Sequence, residues 1–154
     1  METSIVSATE DHVAFVLDNL REQDRAELAG LGIAATRYAE KLLSNSEAKY
    51  AVLVRDRPVA IFGFVRASIL ADVPTAWLLG TPGVLRAWVA FARRSRQVLY
   101  DVAKTGGYRK IAAFVDSTNE VSLRWLTWLG FDVDRNTPVK VGTRTLYCAE
   151  LGGL

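Results

Sequence analysis

The segment that most constrains this chain is residues 117–131, which has the pattern of a capped helix directly after an apolar strand. Residues 110–115 are short, apolar and bounded by turn residues, as expected of a buried strand. Ser117 is the predicted N-cap, and Glu120, three residues later, can complete a capping box. Gly130 is typical of the left-handed residue that ends many helices. We therefore predict a strand, a capped helix and a glycine that ends the helix, one directly after another.

The apolar face of this predicted helix covers more than half of its circumference. It contains Val121, Leu123, Trp125, Leu126, Trp128 and Leu129. A helix that packs only on a sheet needs a narrower apolar stripe, so we expect a second helix, a partner chain or a ligand to cover part of this face. Ser122 lies within it, where a small residue permits close approach of a neighbour. Its hydroxyl can equally bond back to its own helix.

Size and composition exclude several classes of protein. A length of 154 residues predicts one domain, residues 1–154, with a sizeable core, and a hydrophobic fraction of 50% excludes disorder. A net charge of +2 gives no strong signal for nucleic acid or membrane binding. Cys148 is the single cysteine, which fits a reducing cytoplasm. The first residues lack the pattern of a secretory signal, and no apolar run approaches the roughly twenty residues that span a bilayer. We therefore expect a cytoplasmic protein.

The hydrophobic patterns predict an order of strand, two helices, three strands, helix, strand, helix and two strands. The predicted strands are residues 5–8, 49–55, 59–70, 74–79, 110–115, 131–135 and 144–151. The predicted helices are one capped by Ser7 or Thr9, one over residues 23–43 with an interruption near 30–32, one over residues 83–104, and the helix after residue 117. This alternation indicates an α/β domain with a central, partly parallel sheet flanked by helices.

This element order, together with residues 119–131, resembles the GNAT superfamily of N-acetyltransferases. The last helix of that family commonly carries an Asn, a small residue three positions later, and a Leu-Gly-Phe end. The corresponding residues here are Asn119, Ser122 and residues 129–131. The resemblance implies a GNAT-like β-α-α-β-β-β-α-β-α-β-β domain that transfers an acetyl group from acetyl-CoA to the amine of a small molecule or peptide.

A narrower resemblance involves residues 60–65, 76–81, 91–96 and 115–131. These segments are similar to a set of bacteriophage-encoded acetyltransferase-like proteins, some of which are described as virion-associated or morphogenesis proteins. This resemblance implies an alternative function, that of a catalytically inactive GNAT-fold phage protein in virion assembly or host-protein interaction. A phage or host protein, or a second copy in a homodimer, is then the expected partner, in the host cytoplasm or the virion.

The GNAT resemblance also implies which residues bind the donor. Acetyl-CoA would lie where the two central parallel strands diverge, which are here the strands that end at Leu79 and Val115. The implied cofactor-binding residues are Leu79, Gly80, Thr81, Gly83, Arg86, Asn119 and Ser122. In the family, a glycine-rich loop opens the long helix and offers bare amide groups to the pyrophosphate.

Here the loop has the sequence Gly-Thr-Pro-Gly at residues 80–83, and the usual glycine spacing of the family is absent. Leu85 and Trp88 stand where the family places a polar residue and a glycine. Thr81, the amides of residues 83–86 and the Arg86 side chain can still form an anion site. The alternative is a plain turn into the helix.

Asp116 is the predicted general base, because it ends a central strand, where the active sites of α/β proteins lie. The alternative for Asp116 is a helix cap. Asp72 and Glu150 are weaker candidates for the base. Leu126 stands where the family often places the Tyr that protonates the leaving thiolate, so this proton donor is missing from its usual position.

Arg21, Asp24 and Glu27 lie three residues apart near the start of the second predicted helix. The resemblance places this region around the acceptor pocket, so these three residues are the predicted substrate-binding residues. The alternative is a solvated ladder of charges on the helix surface, which would have no role in binding.

Overall fold

A computed structural model of the protein describes residues 2–30, 35–66 and 73–154. The strands are β1 (Thr3–Ser7), β2 (Ser46–Val54), β3 (Arg57–Val65), β4 (Thr75–Gly80), β5 (Ile111–Asp116), β6 (Asp132–Val141) and β7 (Arg144–Leu151). The helices are α1 (Glu10–Asp18), α2 (Glu22–Gly30), α3 (Ala35–Asn45), α4 (Trp88–Gly106) and α5 (Glu120–Leu129), and a 3₁₀ turn (Pro82–Leu85) precedes α4. No helix of the described residues is long and apolar enough to cross a membrane.

Within the described residues, seven strands form one sheet in the order β1-β2-β3-β4-β5-β7-β6. Neighbouring strands are antiparallel except for β4 and β5, which are parallel. Helices lie on both faces of this sheet. The predicted fold class, a mixed and partly parallel sheet flanked by helices, is therefore confirmed.

The parallel strands β4 and β5 are joined only near their starts. Thr75 pairs with Ala112 and Ala76 pairs with Ala113, and beyond these pairs the strands continue separately to Gly80 and Asp116. Each strand stays paired on its other side, β4 with β3 and β5 with β7. A gap therefore opens between the carboxyl ends of β4 and β5, at the two strands where the resemblance implies it.

Two hydrophobic clusters hold the helices to the two faces of the sheet. Because successive side chains of a strand point to opposite faces, Phe62 of β3 joins one cluster and Ile61 joins the other. The Phe62 cluster packs α4 and α5 through Phe91 and Leu126, among others. The Ile61 cluster packs α1 and α2. The gap between β4 and β5 thus lies between two layers of helices.

The start of α5 differs from the prediction. Asn119 is the N-cap, and its side-chain oxygen accepts a hydrogen bond from the Ser122 N–H (3.1 Å). The predicted cap at Ser117 is wrong, because the Asp116 carboxylate accepts the Thr118 N–H (2.8 Å) and forms a turn that delays the helix. Glu120 is consequently the first residue of the helix and makes no capping box.

The predicted end of α5 is confirmed, and so is the expectation that another part of the protein covers its wide apolar face. Gly130 is left-handed (φ 101°), and the N–H groups of Gly130 and Phe131 donate to the Thr127 and Leu126 carbonyls, which is the Schellman arrangement. Helix α4 covers the wide apolar face, because Trp125 stacks on Phe91 with ring centroids 5.3 Å apart.

Other boundaries shift where a turn competes with the hydrophobic pattern. The hairpin between β2 and β3 turns at Arg55 and Asp56, both with positive φ, so β2 ends before its predicted last residue, 55, and β3 begins before its predicted first residue, 59. The long helix is preceded by a separate 3₁₀ turn, and the second helical region is divided into α2 and α3. Strand β3 ends at Val65, and the rest of its predicted range, from 67 to 70, lies outside the described residues.

Candidate functional site

A cavity of about 70 Å³ occupies the gap between β4 and β5. Its walls are mainly apolar and include Phe62, Phe64, Leu78, Val115 and Leu126. Its polar lining includes five of the residues that the sequence singles out: Arg21, Asp24, Glu27, Asn119 and Ser122. The start of α2 and the start of α5 therefore meet at the open end of the gap, although they are almost a hundred residues apart in sequence.

The main-chain groups of Gly80, the last residue of β4, form hydrogen bonds with Asp24 of α2 and with Arg21, the residue before α2. The Gly80 N–H donates to the Asp24 carboxylate, and the Arg21 N–H donates to the Gly80 carbonyl, both over 2.8 Å. Main-chain groups in an antiparallel strand alternate in direction, so Gly80 directs these groups away from β3 and toward the gap. Leu78, two residues earlier, has the same orientation.

Arg21 and Asp24 form a buried ion pair. The Arg21 Nε and Nη2 atoms lie 2.7 and 3.1 Å from the two oxygens of Asp24, and only 7% of Arg21 and 2% of Asp24 is exposed. The interpretation of these two residues as a solvated charge ladder is therefore wrong. Arg21 Nη2 also lies 3.5 Å from the Ser122 hydroxyl, so this side chain reaches across the gap from α2 to α5.

Glu27 is the carboxylate of the cavity that forms no close ion pair within the described residues. Its Oε1 atom accepts hydrogen bonds from Asn119 Nδ2 and Gln23 Nε2, both over 3.0 Å. Burial raises the pKa of Glu27 above its ordinary value of 4.5, more strongly than these hydrogen bonds lower it. The negative charge of Asp24 contributes to the rise. A half-buried carboxyl with a raised pKa beside a cavity is a stronger base than an exposed carboxylate and is suited to accept a proton.

Asp116 has a different environment from the one predicted. It is absent from the lining of the cavity, its side chain is 1% exposed, and its Oδ2 atom lies 2.5 Å from Arg144 Nε. Burial alone would raise its pKa, but hydrogen bonds from Arg144 and Thr118 outweigh burial and lower it. A carboxylate held in its ionised form is a weak base, so this environment favours the alternative role of Asp116, that of a local cap, over the predicted role of general base.

The weaker candidates for the base do not line the cavity in the described part of the chain. Glu150 lies on β7, where its carboxylate is 3.8 Å from the ammonium group of Lys110 and both side chains are more than half exposed. Asp72 lies outside the described residues. Glu27, by contrast, lines the cavity, in the region that the sequence analysis assigned to the acceptor pocket. Spacing alone gave no signal of its burial.

The loop that the resemblance assigns to the pyrophosphate forms a closed 3₁₀ turn. The Thr81 hydroxyl accepts the Gly83 N–H (3.2 Å), the Thr81 carbonyl accepts the Val84 N–H, and the Gly83 carbonyl accepts the Arg86 N–H. The predicted cradle of bare amides is therefore wrong, and the alternative of a plain turn is the one observed.

Three residues of this loop lie away from the gap between β4 and β5, whereas Val84 and Leu85 of the same turn lie beside Leu78 and Ser122. Thr81, Gly83 and Arg86 line a separate groove beside the β2–β3 hairpin. The Leu79 side chain packs in the cluster under α1 and α2. Of the predicted cofactor-binding residues, the structure thus brings only Asn119, Ser122 and the Gly80 main chain to the gap.

The far wall of the cavity is formed by α4 and α5. Trp125 Nε1 donates to the Ser95 hydroxyl (3.2 Å), which itself donates to the Ala92 carbonyl (2.9 Å), so both buried polar groups are satisfied. Leu126 also lines the cavity, at 4% exposure, and no tyrosine is among the described residues that line it. No group of His, Cys, Asp and Glu in the described part of the chain is arranged to hold a metal ion.

No protein-family model matches the chain, and no curated protein matches it in sequence. Solved structures do match it. Aminoglycoside acetyltransferase AAC(6')-Ib in complex with ribostamycin and coenzyme A has a TM-score of 0.72 at 13% identity, over 99% of this chain and 94% of that chain. A GNAT-family acetyltransferase from Bacillus anthracis has a TM-score of 0.71 at 14% identity, over 99% and 95% of the two chains.

A third match is a chimera of the spermidine N-acetyltransferase SpeG from Vibrio cholerae and hSSAT. Its TM-score is 0.67 at 10% identity, over 99% of this chain and 96% of that chain. Similarity at these identities establishes the fold, which is that of the GNAT acetyltransferases.

Proposed function

We propose that the chain is an acetyl-CoA-dependent N-acetyltransferase that acts on the amine of a small molecule or peptide. The observation that carries the proposal is the cavity between the diverging strands β4 and β5, with Glu27, Asn119 and Ser122 at its open end. The matched structures support it, because complexes of AAC(6')-Ib hold coenzyme A with ribostamycin and acetyl-CoA with paromomycin.

The residues at the gap fit the thioester end of such a donor. Leu78 directs its main-chain groups into the gap, and the Ser122 hydroxyl lies on its rim. These groups would hold the pantetheine arm, which is itself an alternation of amides and apolar links. Bound there, acetyl-CoA supplies an acetyl group activated as a thioester.

Glu27 would accept the proton that the amine loses. Its pKa is raised by burial, so its ionised form is a stronger base than an exposed carboxylate. Asn119 holds this carboxylate in place with a hydrogen bond of 3.0 Å and is itself fixed as the N-cap of α5. Asn119 is therefore a positioning residue for Glu27.

The charge of the cavity favours a cationic acceptor. Arg21 neutralises Asp24 in their buried ion pair, and Glu27 is the remaining charged residue that lines the cavity. The net charge of the lining is therefore negative when Glu27 is ionised. An amine in its ammonium form is attracted to such a site and loses its proton there.

Release of free thiol from acetyl-CoA, measured with a panel of polyamines, aminoglycosides and peptide N-termini, tests the proposal. The decisive variant is Glu27→Gln, which keeps the shape of the side chain and removes the base. We expect it to lower kcat by about 10²- to 10⁴-fold. Glu22→Gln, at an exposed position of the same helix, is the matched control and should keep full activity. Thiol release that is equal in both variants would contradict the role of Glu27.

A second candidate function is that of a catalytically inactive GNAT-fold protein in phage virion assembly or host-protein interaction, as a partner of another protein or in a homodimer. Three observations favour it. The cavity of about 70 Å³ is smaller than the roughly 300–1,000 Å³ of typical ligand pockets. The Gly80 main chain is already bonded to Arg21 and Asp24, and the amides of the 3₁₀ turn are satisfied internally. A folded protein that releases no thiol with any acceptor and binds no acetyl-CoA would support this second function.

A further inference from the structure

Phe114 is an exposed aromatic side chain in the middle of a central strand. Its exposed fraction is 53%, whereas the other residues of β5 are buried. Ala113 and Val115 belong to the cluster under α4 and α5, so Phe114 points to the opposite face of the sheet, that of α1 and α2. The hydrophobic cluster of that face contains described residues of β2, β3 and β4 but none of β5. The helices therefore leave the Phe114 ring uncovered where it lines the cavity between β4 and β5.

Trp77 of β4 lies next to Phe114 in the register of the two parallel strands. Ala76 pairs with Ala113, so Trp77 and Phe114 occupy the following position, where the strands begin to diverge. Trp77 packs at the edge of the cluster under α1 and α2 and lines the same cavity. Two aromatic side chains therefore border the gap on the face of α1 and α2, at the end where the strands are still paired.

The Trp77 indole is fixed in an orientation that leaves space beside Phe114. Its Nε1 atom donates to the Ser46 hydroxyl of β2 (2.9 Å). Its ring lies on Gly63 of β3, where a Cβ atom would come within 2.8 Å of Trp77 Cζ2. The indole therefore extends across β3 toward β2 and away from β5. None of the ring contacts within the described part of the chain involves Phe114, so no other aromatic ring stacks on its exposed surface.

Glu27 supplies the charged part of the same cavity. Its carboxylate forms no close ion pair within the residues that the structure describes. The Asp24 carboxylate is neutralised by Arg21, and it cannot attract a second cation as strongly. Asp116 is paired with Arg144 in the same way. The cavity thus offers one carboxylate to one ammonium group, with aromatic surface beside it.

The ligand that matches both parts is a primary amine on a short chain that ends in an aromatic ring. A ring stacked on Phe114 would bury apolar surface on both partners and gain the attraction between aromatic rings. A polyamine or an amino sugar fits less well, because its further ammonium groups and hydroxyls need polar partners. An exposed ring attracts an ammonium group only weakly, and the N–H of the Trp77 indole is already bonded to Ser46.

We propose that Phe114 is a specificity-determining residue of the acceptor site and selects an arylalkylamine. The ring of the amine stacks on Phe114 beside the Trp77 indole, and its ammonium group faces Glu27. Neither aromatic residue is among the substrate-binding residues that the sequence predicts. The role of this amine as acetyl acceptor rests on the proposed function, whereas its binding can be measured separately.

Calorimetric titration with phenylethylamine and with butylamine, which has no ring, tests this site. The titrations are made with and without coenzyme A at about pH 8, where both amines keep their proton. We expect the wild type to bind phenylethylamine at least about tenfold more tightly than butylamine. Phe114→Ala should weaken the binding of phenylethylamine about tenfold and change that of butylamine less than about twofold. Phe114→Tyr keeps the ring and should bind both amines like the wild type.

Tyr100→Ala is the matched control, because it removes an aromatic side chain of similar exposure, 47%, from α4 outside the cavity. Its affinity for phenylethylamine should equal that of the wild type, and thermal unfolding checks that every variant is folded. No saturable binding of phenylethylamine at millimolar concentration would overturn the proposal, and so would equal affinity of the wild type for the two amines. Tighter binding of spermidine than of phenylethylamine, or an equal loss of affinity in Phe114→Ala and Tyr100→Ala, would also overturn it.

Release of thiol from acetyl-CoA separates this inference from the proposed function. Release with spermidine and none with phenylethylamine would overturn the selection by Phe114 and leave the transferase activity standing. Binding of phenylethylamine that Phe114→Ala weakens, with no thiol released by any amine, would support the amine site and contradict acetyl transfer.

Discussion

Replacement of Asp24 by Asn should strongly destabilise the fold. The Asp24 carboxylate accepts three hydrogen bonds, at 2.7 and 3.1 Å from Arg21 and at 2.8 Å from the Gly80 N–H, and is 2% exposed. Asn keeps the shape of the side chain, but its amide NH₂ would face N–H donors. The charge of Arg21, itself 7% exposed, would be left without compensation.

Breaking a buried ion pair from one side costs about 3–5 kcal/mol. In a chain of 154 residues, each kcal/mol corresponds to about 2–4 °C in Tm, so Asp24→Asn should lower Tm by about 6–20 °C. Urea or guanidinium unfolding, followed by circular dichroism, measures the free energy directly. Asp18→Asn, at an exposed position of α1, is the control and should change stability by less than about 0.5 kcal/mol.

A double variant separates the contribution of the ion pair to stability from the contribution of side-chain packing. Arg21→Met with Asp24→Leu removes both charges and keeps apolar volume, so it should cost much less than Asp24→Asn alone. A loss below about 1 kcal/mol for Asp24→Asn would refute the reasoning, because the pair would then contribute no more than an exposed one. A double variant as unstable as the sum of its single variants would refute it as well.

Three further predictions concern the groups around the gap. If Glu27 is the base, kcat/KM should rise with pH through a pKa above 4.5, and Glu27→Gln should abolish this rise; a profile unchanged by the substitution would contradict the assignment. Asp116 has a lowered pKa in the folded state, so its stabilising effect is present above 3.8, its ordinary value, and is lost as the pH falls through the lower folded value. Asp116→Asn should therefore reduce stability at neutral pH. The urea concentration at the unfolding midpoint should also fall less steeply with acid in this variant than in the wild type, and an equally steep fall would argue against the ion pair with Arg144. Asn119→Ala should cost about 1 kcal/mol as a lost N-cap, and it should move the pH profile of kcat/KM to higher pH, because Glu27 loses a hydrogen bond that lowers its pKa.

The elements that local sequence specifies could be predicted closely. The bounds of β7 agree with its predicted range of 144–151, because a short, mainly apolar run ends there at glycine residues. Thr9 caps α1 and Gly130 ends α5, since both positions depend on the chemistry of one residue and its near neighbours. The wide apolar face of α5 indicated a cover by a second helix, a partner chain or a ligand, and α4 provides the first of these.

The rest depends on contacts between distant residues or on turns that compete with a helix. Asp24 bonds to Gly80 across 56 positions, and no local pattern distinguishes this buried carboxylate from a surface one. The turn formed by Asp116 and Thr118 displaces the cap of α5 by two residues, although Ser117 has the better capping sequence. The raised pKa of Glu27 follows from burial between α2 and α5, which is a property of the folded chain alone.

Calorimetric titration with acetyl-CoA tests most directly whether the gap between β4 and β5 receives the donor. Ser122→Trp should fill the open end of the gap, because Ser122 lines the cavity, whereas Thr127→Trp adds the same side chain at an exposed position of the same helix. The account predicts saturable binding by the wild type and by Thr127→Trp, and binding at least about tenfold weaker by Ser122→Trp. Equal affinity of all three proteins, or no binding by the folded wild type at millimolar acetyl-CoA, would contradict it.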